Sequence, residues 1–256
     1  MTAKYLDIKK SIYLKQNQDD FPTIKTNDEM VALLTKNGKT VPDWDIARVA
    51  VAQRRFAMIR EPITDIPLHV ITPVTRPQYL QKIADSIVNA DHPHKFSIHW
   101  HCIFKNHENR FNVIQLYNKL LDSIQDGWIH FMCDDNSFHP RLFAEFQDAI
   151  DKNPNMGVFL AGIFGRHGRV VYPRKENIIP WGIDAAQSFV ERKTLGDIRY
   201  DTRKTSFADS KLIMDIYDKS PEKFVFSDKV LSYYERTLRD DNGTLIDQGQ
   251  WVTQNE

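Results

Sequence analysis

A regular alternation of strand-like and helix-like segments between Ile66 and Phe164 constrains the fold most strongly. Apolar runs or two-residue alternations occur at 66–74, 95–104, 128–133 and 156–164. The intervals between them carry apolar residues at helical spacing. This order predicts an α/β fold in which a mostly parallel, Rossmann-like central sheet is flanked by helices.

The first 65 residues differ from the rest of the chain. They are polar, and one helix is predicted there, beginning after Asp43 or Asp45. We therefore expect an N-terminal, partly helical extension over 1–65, an α/β domain over 66–240 and a C-terminal tail over 241–256.

The charge balance argues against a polyanionic partner. Lys and Arg together number 34, and Asp and Glu also number 34, so the formal net charge is zero. No long-range field favours nucleic acid or a membrane surface. Cys102 and Cys133 form no spaced pair of the kind found in zinc or disulfide frameworks. Since no apolar leader and no run of about 20 apolar residues occurs, we expect a cytoplasmic protein without a transmembrane segment.

Polar residues follow two of the predicted strands, at the ends where open sheets of this kind bind ligands. Thr72, Pro73 and Arg76 follow the first strand, and an Asp-Asp-Asn motif at 134–136 follows the third. Adjacent carboxylates repel each other unless they lie at a solvated turn or share a cation. A divalent metal that arrives with a diphosphate would suit them, and a capped turn is the simpler alternative.

These motifs, taken with later ones, resemble the nucleotide-sugar-dependent glycosyltransferases of the GT-A fold. The broad match is to family 2, and local motifs are similar to the glucuronyltransferases of family 43. The matching stretches, in chain order, are ITPVTR (71–76), YNKLL (117–121), CDDNSF (133–138), IDAAQ (183–187), FADSKLI (207–213) and VLSYYERT (230–237). Cys133 stands where family 43 has a first acid, and Tyr234 stands where it has a histidine.

The resemblance implies a metal-dependent, inverting transfer of a sugar from a nucleoside-diphosphate sugar, expected to be a UDP-sugar, to an acceptor hydroxyl. Asp209 would be the general base, although it also suits the N-cap of a helix. Asp135 would hold Mn²⁺ or Mg²⁺ as a Lewis acid, with Asp134 beside it. The residues expected to bind the nucleotide or donor are Thr72, Pro73, Arg76, Asn118, Lys119, Asp134, Asp184, Gln187, Tyr234 and Arg236.

Two other functions stay open on the sequence alone. A sugar nucleotidyltransferase would be expected to carry a Gly-rich loop after the first strand, and the stretch 71–79 has no glycine. A non-catalytic nucleotide-sugar-binding module would explain Cys133 and Tyr234. The acceptor stays open among a saccharide, a small molecule, a protein and a modified nucleic-acid base, and so do the sugar and the oligomeric state.

A pair of histidines, His99 and His101, shares one face of the second predicted strand. Two histidines at this spacing can bind zinc. We prefer a polar strand face, because Lys95 and Ser97 lie on the same side.

Overall fold

The computed structural model describes residues 66–74, 79–91, 95–104, 113–165, 169–203 and 207–234. The predicted extension over 1–65, the predicted tail over 241–256 and the site residues Arg76 and Arg236 lie outside the described residues. Within the described ranges, no helix is long and apolar enough to cross a membrane.

Eight strands and five α-helices make up the described fold. The strands are β1 (Ile66–Val74), β2 (Phe96–Phe104), β3 (Trp128–Phe131), β4 (Asn136–Phe138), β5 (Val158–Phe164), β6 (Val170–Val171), β7 (Ser188–Glu191) and β8 (Phe224–Tyr234). The helices are α1 (Leu80–Val88), α2 (Val113–Ser123), α3 (Leu142–Lys152), α4 (Arg192–Leu195) and α5 (Ala208–Lys219). Short 3-10 turns occur at Lys175–Asn177, Ala185–Gln187 and Pro221–Lys223.

The strands form one sheet in the order β2-β1-β3-β7-β5-β8-β4, with β6 beside β5. The predicted α/β alternation is confirmed, because β1, β2, β3 and β5 all run in the same direction. The sheet is mixed rather than mostly parallel, since β7 runs in the opposite direction between β3 and β5. A short turn precedes β7 where the alternation would place a helix. Strand β7 therefore falls outside the strand–helix alternation.

Helices cover both faces of the sheet and bury two apolar layers. On one face, α1 and α3 pack against β1, β2 and β3. Phe146 of α3 is fully buried there, with its ring centroid 5.3 Å from that of Phe96 and 4.5 Å from that of Phe189. On the other face, α2 and α5 pack against Ile71 and Ile129. This arrangement leaves the strand ends as the places where polar residues gather.

The histidines on β2 lie beside His69 of β1, on the strand face that also carries Ser97, whose Oγ is 3.3 Å from His99 Nε2; His99 is half-buried and His101 is buried. His69 of β1 pairs in register with His99, and their rings stack with centroids 4.8 Å apart. His69 Nδ1 lies 3.0 Å from His101 Nε2, and both residues are buried. Among the residues that the structure describes, no group of three or more His, Cys, Asp or Glu side chains is arranged to hold a metal ion.

Candidate active site

The Asp-Asp-Asn motif lies at the carboxyl end of β3, as the sequence predicted. Asp134 and Asp135 form the turn between β3 and β4, and Asn136 begins β4. All three are buried, with exposures of 1%, 3% and 2%. The turn is fixed on its near side by the backbone N–H of Met132, which donates to the carbonyl of Ile71 at 2.9 Å.

Four of the predicted site carboxylates converge on Cys133. Burial raises the pKa of the Cys133 thiol, and the charges of Asp184, Asp209, Asp135 and Asp134 raise it further. These acids come from three separate segments of the chain, and the fold brings all of them within electrostatic reach of one sulfur atom. These surroundings favour the protonated thiol and so disfavour a nucleophilic role for Cys133.

Asp209 lies in the first turn of α5. The helix begins at Ala208 and its N-cap is Phe207, which makes no side-chain cap, so the alternative prediction that Asp209 caps this helix is wrong. Burial raises the pKa of the Asp209 carboxyl to about 6, and the charge of Asp184 acts in the same direction. A hydrogen bond from Tyr200 opposes them and lowers the pKa.

Tyr200 is a site residue that the sequence did not indicate. It is buried, and its ring lies 5.3 Å from that of Tyr117 and 5.1 Å, edge-on, from that of Phe131. It comes from an irregular segment that follows α4. Periodicity carries no information in such a segment, and only the folded structure reveals its contact with Asp209.

Asn118 was predicted to bind the nucleotide, and that role stays a prediction; the structure shows a different use of its amide group. Its Nδ2 donates to the backbone carbonyl of Tyr200 at 2.9 Å, and the backbone N–H of Tyr200 donates to its Oδ1 at 2.9 Å. The amide group is therefore used to hold Tyr200 in place. Asn118 acts on the site through Tyr200, which in turn contacts Asp209.

Gln187 was predicted to face the donor sugar or acceptor, and the structure corrects this. It is 1% exposed, and its Nε2 donates to the carbonyls of Ala161 and Val171 at 3.2 and 3.1 Å. Its Oε1 accepts from the backbone N–H of Asp184 at 3.0 Å. Gln187 therefore fixes the loop that presents Asp184.

Asp184 itself remains an exposed member of the site. Its Oδ1 accepts a hydrogen bond from the backbone N–H of Ala186 at 2.9 Å, which completes a capping box with Gln187. The side chain is exposed, and its charge reaches both Cys133 and Asp209. The capping bonds hold the carboxylate in one orientation beside the candidate base.

Thr72 cannot line a nucleotide pocket in this conformation, contrary to the prediction. It is 0% exposed, and its hydroxyl accepts a hydrogen bond from Trp100 Nε1 at 2.9 Å. Pro73, the next residue, is partly exposed near the end of β1, and Lys119 is partly exposed on α2. Tyr234 is buried and pairs in register with Asn136, which places it next to the acid motif.

The residues around the motif fit a hard divalent cation. Asn136 Oδ1 is buried without a hydrogen-bond partner among the described residues, and it lies beside two carboxylates. Oxygen donors of this kind suit Mn²⁺ or Mg²⁺, which usually complete their coordination with water and phosphate oxygens. Within the described ranges no three acidic, His or Cys side chains are arranged to hold a metal ion, so an ion at this motif would need further ligands from outside the protein.

No protein-family model and no curated protein matches this chain. Several solved structures do match it. One is TarS 1–349 from S. aureus, with 16% identity, a TM-score of 0.51, and coverage of 66% of this chain and 60% of that one. The complex of the same protein with UDP gives the same values. This chain thus spans about three fifths of TarS 1–349.

The mannosyltransferase PcManGT from Pyrobaculum calidifontis, solved with GDP-Man and Mn²⁺, is also similar. It has 12% identity and a TM-score of 0.50, and the match covers 85% of this chain and 70% of that one. At such identities the likeness shows the fold, and the predicted GT-A-like α/β fold is confirmed. The closer likeness to family 43 stays a prediction.

Proposed function

We propose that this chain is a metal-dependent, inverting glycosyltransferase that moves a sugar from a nucleoside-diphosphate sugar, a UDP-sugar in our view, to an acceptor hydroxyl. The observation that carries the proposal is that Asp134, Asp135 and Asp209, from separate segments of the chain, all lie within electrostatic reach of Cys133. The transfer needs a cation site for the leaving diphosphate and a base for the acceptor. This site offers candidates for both.

The nearest support outside the chain is the shared fold. PcManGT is a mannosyltransferase whose structure holds GDP-Man and Mn²⁺, and TarS has been solved with UDP. A fold alone does not fix an activity. The proposal therefore rests first on the local arrangement of carboxylates in this chain.

The proposed metal ligands are Asp135 and Asp134. When bound there with the donor, a divalent ion would supply Lewis-acid stabilisation of the charge on the diphosphate. Arg236 and Arg76, which lie outside the described residues, are proposed to grip phosphate oxygens as bidentate donors. Pro73 and Lys119 would lie near the nucleotide.

The proposed base is Asp209. Its carboxylate would accept the proton of the acceptor hydroxyl as the hydroxyl oxygen forms a bond to the anomeric carbon of the sugar. The bond from that carbon to the diphosphate oxygen breaks, and the nucleoside diphosphate leaves with the bonding electrons. In-line attack opposite the leaving group inverts the anomeric configuration.

The raised pKa of Asp209 suits this role. A carboxyl with a pKa of about 6 is still ionised at neutral pH, and it is a stronger base than an ordinary aspartate. The hydrogen bond from Tyr200 keeps the carboxylate oriented. Burial and Asp184 thus provide basicity, and Tyr200 provides position.

A donor-hydrolysis experiment tests the proposal. Wild-type protein and Asp135→Ala would be incubated with UDP-glucose, UDP-galactose, UDP-N-acetylglucosamine and GDP-mannose, with Mn²⁺ or with EDTA. We expect slow, Mn²⁺-dependent hydrolysis of at least one donor, reduced roughly 100-fold or more in Asp135→Ala, since metal stabilisation is worth several kcal/mol. Asp218→Ala, which removes an exposed carboxylate at the far end of α5, is the matched control.

The alternatives have distinct outcomes in the same experiment. Donor binding that does not depend on Mn²⁺, without turnover, would indicate a non-catalytic binding module. If no donor is bound or hydrolysed under any condition, the glycosyltransferase assignment is wrong.

A further inference from the structure

The exposed apolar surface of the described residues is concentrated in one segment. Every large hydrophobic side chain that is exposed in that part of the chain lies between positions 170 and 181. They are Val170, Val171, Tyr172, Ile179 and Trp181, and Trp181 is the most exposed of them at 70%. An indole that is exposed to this extent is available to contact a ligand.

Trp181 also has an unusual backbone. Its φ is 68°, and of the residues that the structure describes it is the one non-glycine residue with a positive φ. A bulky residue in the left-handed region is strained, and such strain collects at functional sites where the surrounding structure imposes it. A residue that served only to link β6 to β7 would need neither an exposed indole nor this conformation.

The chain around Trp181 is held tightly. The backbone N–H of Gly182 donates to the carbonyl of Ile179 at 3.0 Å. A Cβ atom at Gly182 would lie 2.0 Å from the carbonyl oxygen of Asn177, so only glycine fits there. The conformation of the turn that exposes the indole is therefore fixed by the loop itself.

This turn is attached to the helix that carries the candidate base. The Trp181 ring lies 5.9 Å from the ring of Phe207, the N-cap of α5. The hydroxyl of Ser210 donates to the carbonyl of Ile183 at 2.9 Å. Asp209 lies between these two contact residues in the sequence, so the loop is fixed to both sides of it.

We propose that Trp181 is the platform of an acceptor subsite for a saccharide, in which the apolar face of a sugar ring stacks on the indole and a ring hydroxyl donates to the Asp184 carboxylate. The C–H groups on that face of a sugar carry partial positive charge and suit the negative face of an aromatic ring. Where the proposed function also holds, a further hydroxyl of the same saccharide is the one that Asp209 deprotonates.

The charges close to Trp181 favour a saccharide over a nucleic acid. Asp184 is exposed three residues along the chain, and Asp209 follows Phe207 by two. Carboxylates accept hydrogen bonds from hydroxyl groups and repel phosphates. Earlier in the segment, the side chains of Arg169, Arg174 and Lys175 are exposed. These positive charges would favour a nucleic acid, and the test therefore includes an oligonucleotide.

Calorimetric titration without any donor tests the platform directly. The probes are methyl β-D-glucopyranoside, cellobiose, maltose, N,N′-diacetylchitobiose and a single-stranded oligothymidylate. We expect at least one of the saccharides to bind, with its affinity reduced about tenfold or more in Trp181→Gly. Because glycine accepts a positive φ, relief of backbone strain should offset the lost contact with Phe207, and we expect this variant to melt close to wild type. Trp181→Phe keeps an aromatic face and should retain part of the affinity.

Tyr172→Ala is the matched control. It removes another exposed aromatic ring from the same segment, but that ring lies over Gly162 of β5, with its Cδ1 3.1 Å from the position of a Cβ there. We expect saccharide affinity within about twofold of wild type, since this ring packs on β5 and not on α5.

The outcomes separate this inference from the proposed function. If wild type hydrolyses a donor but binds no saccharide of the panel, or if Trp181→Gly binds as wild type does, the subsite is overturned and the transferase assignment stands. Oligothymidylate binding that depends on Trp181, without saccharide binding, also overturns it. Saccharide binding that is lost in Trp181→Gly supports the platform even if no donor is hydrolysed.

Discussion

The hydroxyl of Tyr200 and the carboxylate of Asp209 interact by hydrogen bonding, and this interaction lowers the pKa of the candidate base. Burial raises the pKa of Asp209 to about 6, and the Tyr200 bond opposes that rise because it stabilises the ionised form. Asn118 holds Tyr200 through two backbone hydrogen bonds of 2.9 Å. Burial is therefore the main cause of the raised pKa of Asp209, and the contacts from Asn118 through Tyr200 moderate it.

Replacing Tyr200 with Phe should move the pH dependence of activity. Without the donated hydrogen bond, the ionised Asp209 is less stable and its pKa rises further. We expect the acidic limb of the kcat/KM profile to shift upward by about 0.5–1 pH unit, with activity largely retained above pH 8. The measurement is the rate of donor turnover from pH 5 to 9.

Tyr217→Phe is the control for this change. Tyr217 is a partly buried tyrosine on α5 whose ring packs edge-on against Phe224, away from the acids. Its removal should leave the position of the limb unchanged. A uniform loss of rate in Tyr200→Phe at every pH, with the limb in place, would show that Tyr200 acts only through packing.

The elements with long periodic patterns were predictable from the sequence. Strands β1, β2, β3 and β5 and the helices between them follow their apolar spacing, and the Asp-Asp-Asn motif lies at the strand end where such sheets place ligands. Strand β7 was not predicted, because it follows a short 3-10 turn instead of a helix. It therefore falls outside the strand–helix alternation on which the prediction was based.

The site was only partly predictable, because a motif records residue type and spacing but not the direction of a side chain. Asn118 and Gln187 lie in stretches that resemble the family motifs, yet their amide groups are used on backbone atoms of Tyr200, Ala161 and Val171. Asp184 and Asp209 match as well and do converge. Tyr200 and Trp181 belong to no motif, and their importance depends on contacts that form only in the folded chain.

Replacing Asp209 with Asn should abolish transfer and stabilise the protein at neutral pH. The folded-state pKa of about 6 lies above the ordinary value of 3.8. Ionisation of this group therefore lowers the free energy of unfolding as the pH rises from 3.8 to 6. Asparagine removes the penalty, which we estimate at about 1–3 kcal/mol of unfolding free energy at pH 7.5. Urea unfolding at pH 7.5 and pH 4 measures it.

The pH dependence provides the check on this prediction. At pH 4 the Asp209 carboxyl is largely protonated in the folded protein, so the difference between wild type and Asp209→Asn should nearly vanish. Equal stability gains at both pH values would show that the variant acts through packing or hydrogen bonding and not through ionisation.

Replacing Thr72 with Val should lower stability without weakening donor binding. The Thr72 hydroxyl accepts the indole N–H of Trp100 at 2.9 Å in the interior, and valine would leave that N–H unsatisfied at a cost of about 1–3 kcal/mol. Thr72→Ser keeps the acceptor and should lose less. Donor affinity, measured by titration calorimetry with Mn²⁺, should be unchanged in both; a marked loss in both would restore Thr72 to the nucleotide pocket.

Acid destabilisation should depend on His130. This residue is fully buried on β3, its Nδ1 bonds the carbonyl of Ser188 at 2.8 Å, and its ring stacks on Phe189. Burial lowers the pKa of His130 to about 4, so the folded state excludes a proton that the unfolded state binds below pH 6.5. Stability is therefore lost as the pH falls from 6.5 to 4, by up to about 3 kcal/mol.

Asp209 acts in the opposite direction over nearly the same range, because its folded form gains a proton as the pH falls from 6 to 3.8. The contribution of His130 is therefore clearest in the Asp209→Asn background, because position 209 no longer titrates and His130 still does. His130→Asn keeps a donor near the position of Nδ1 and cannot take up a proton. We expect the urea-unfolding free energy of the double variant to change less between pH 7 and pH 4 than that of Asp209→Asn alone; an equal decline in the two proteins would assign the acid sensitivity to other groups.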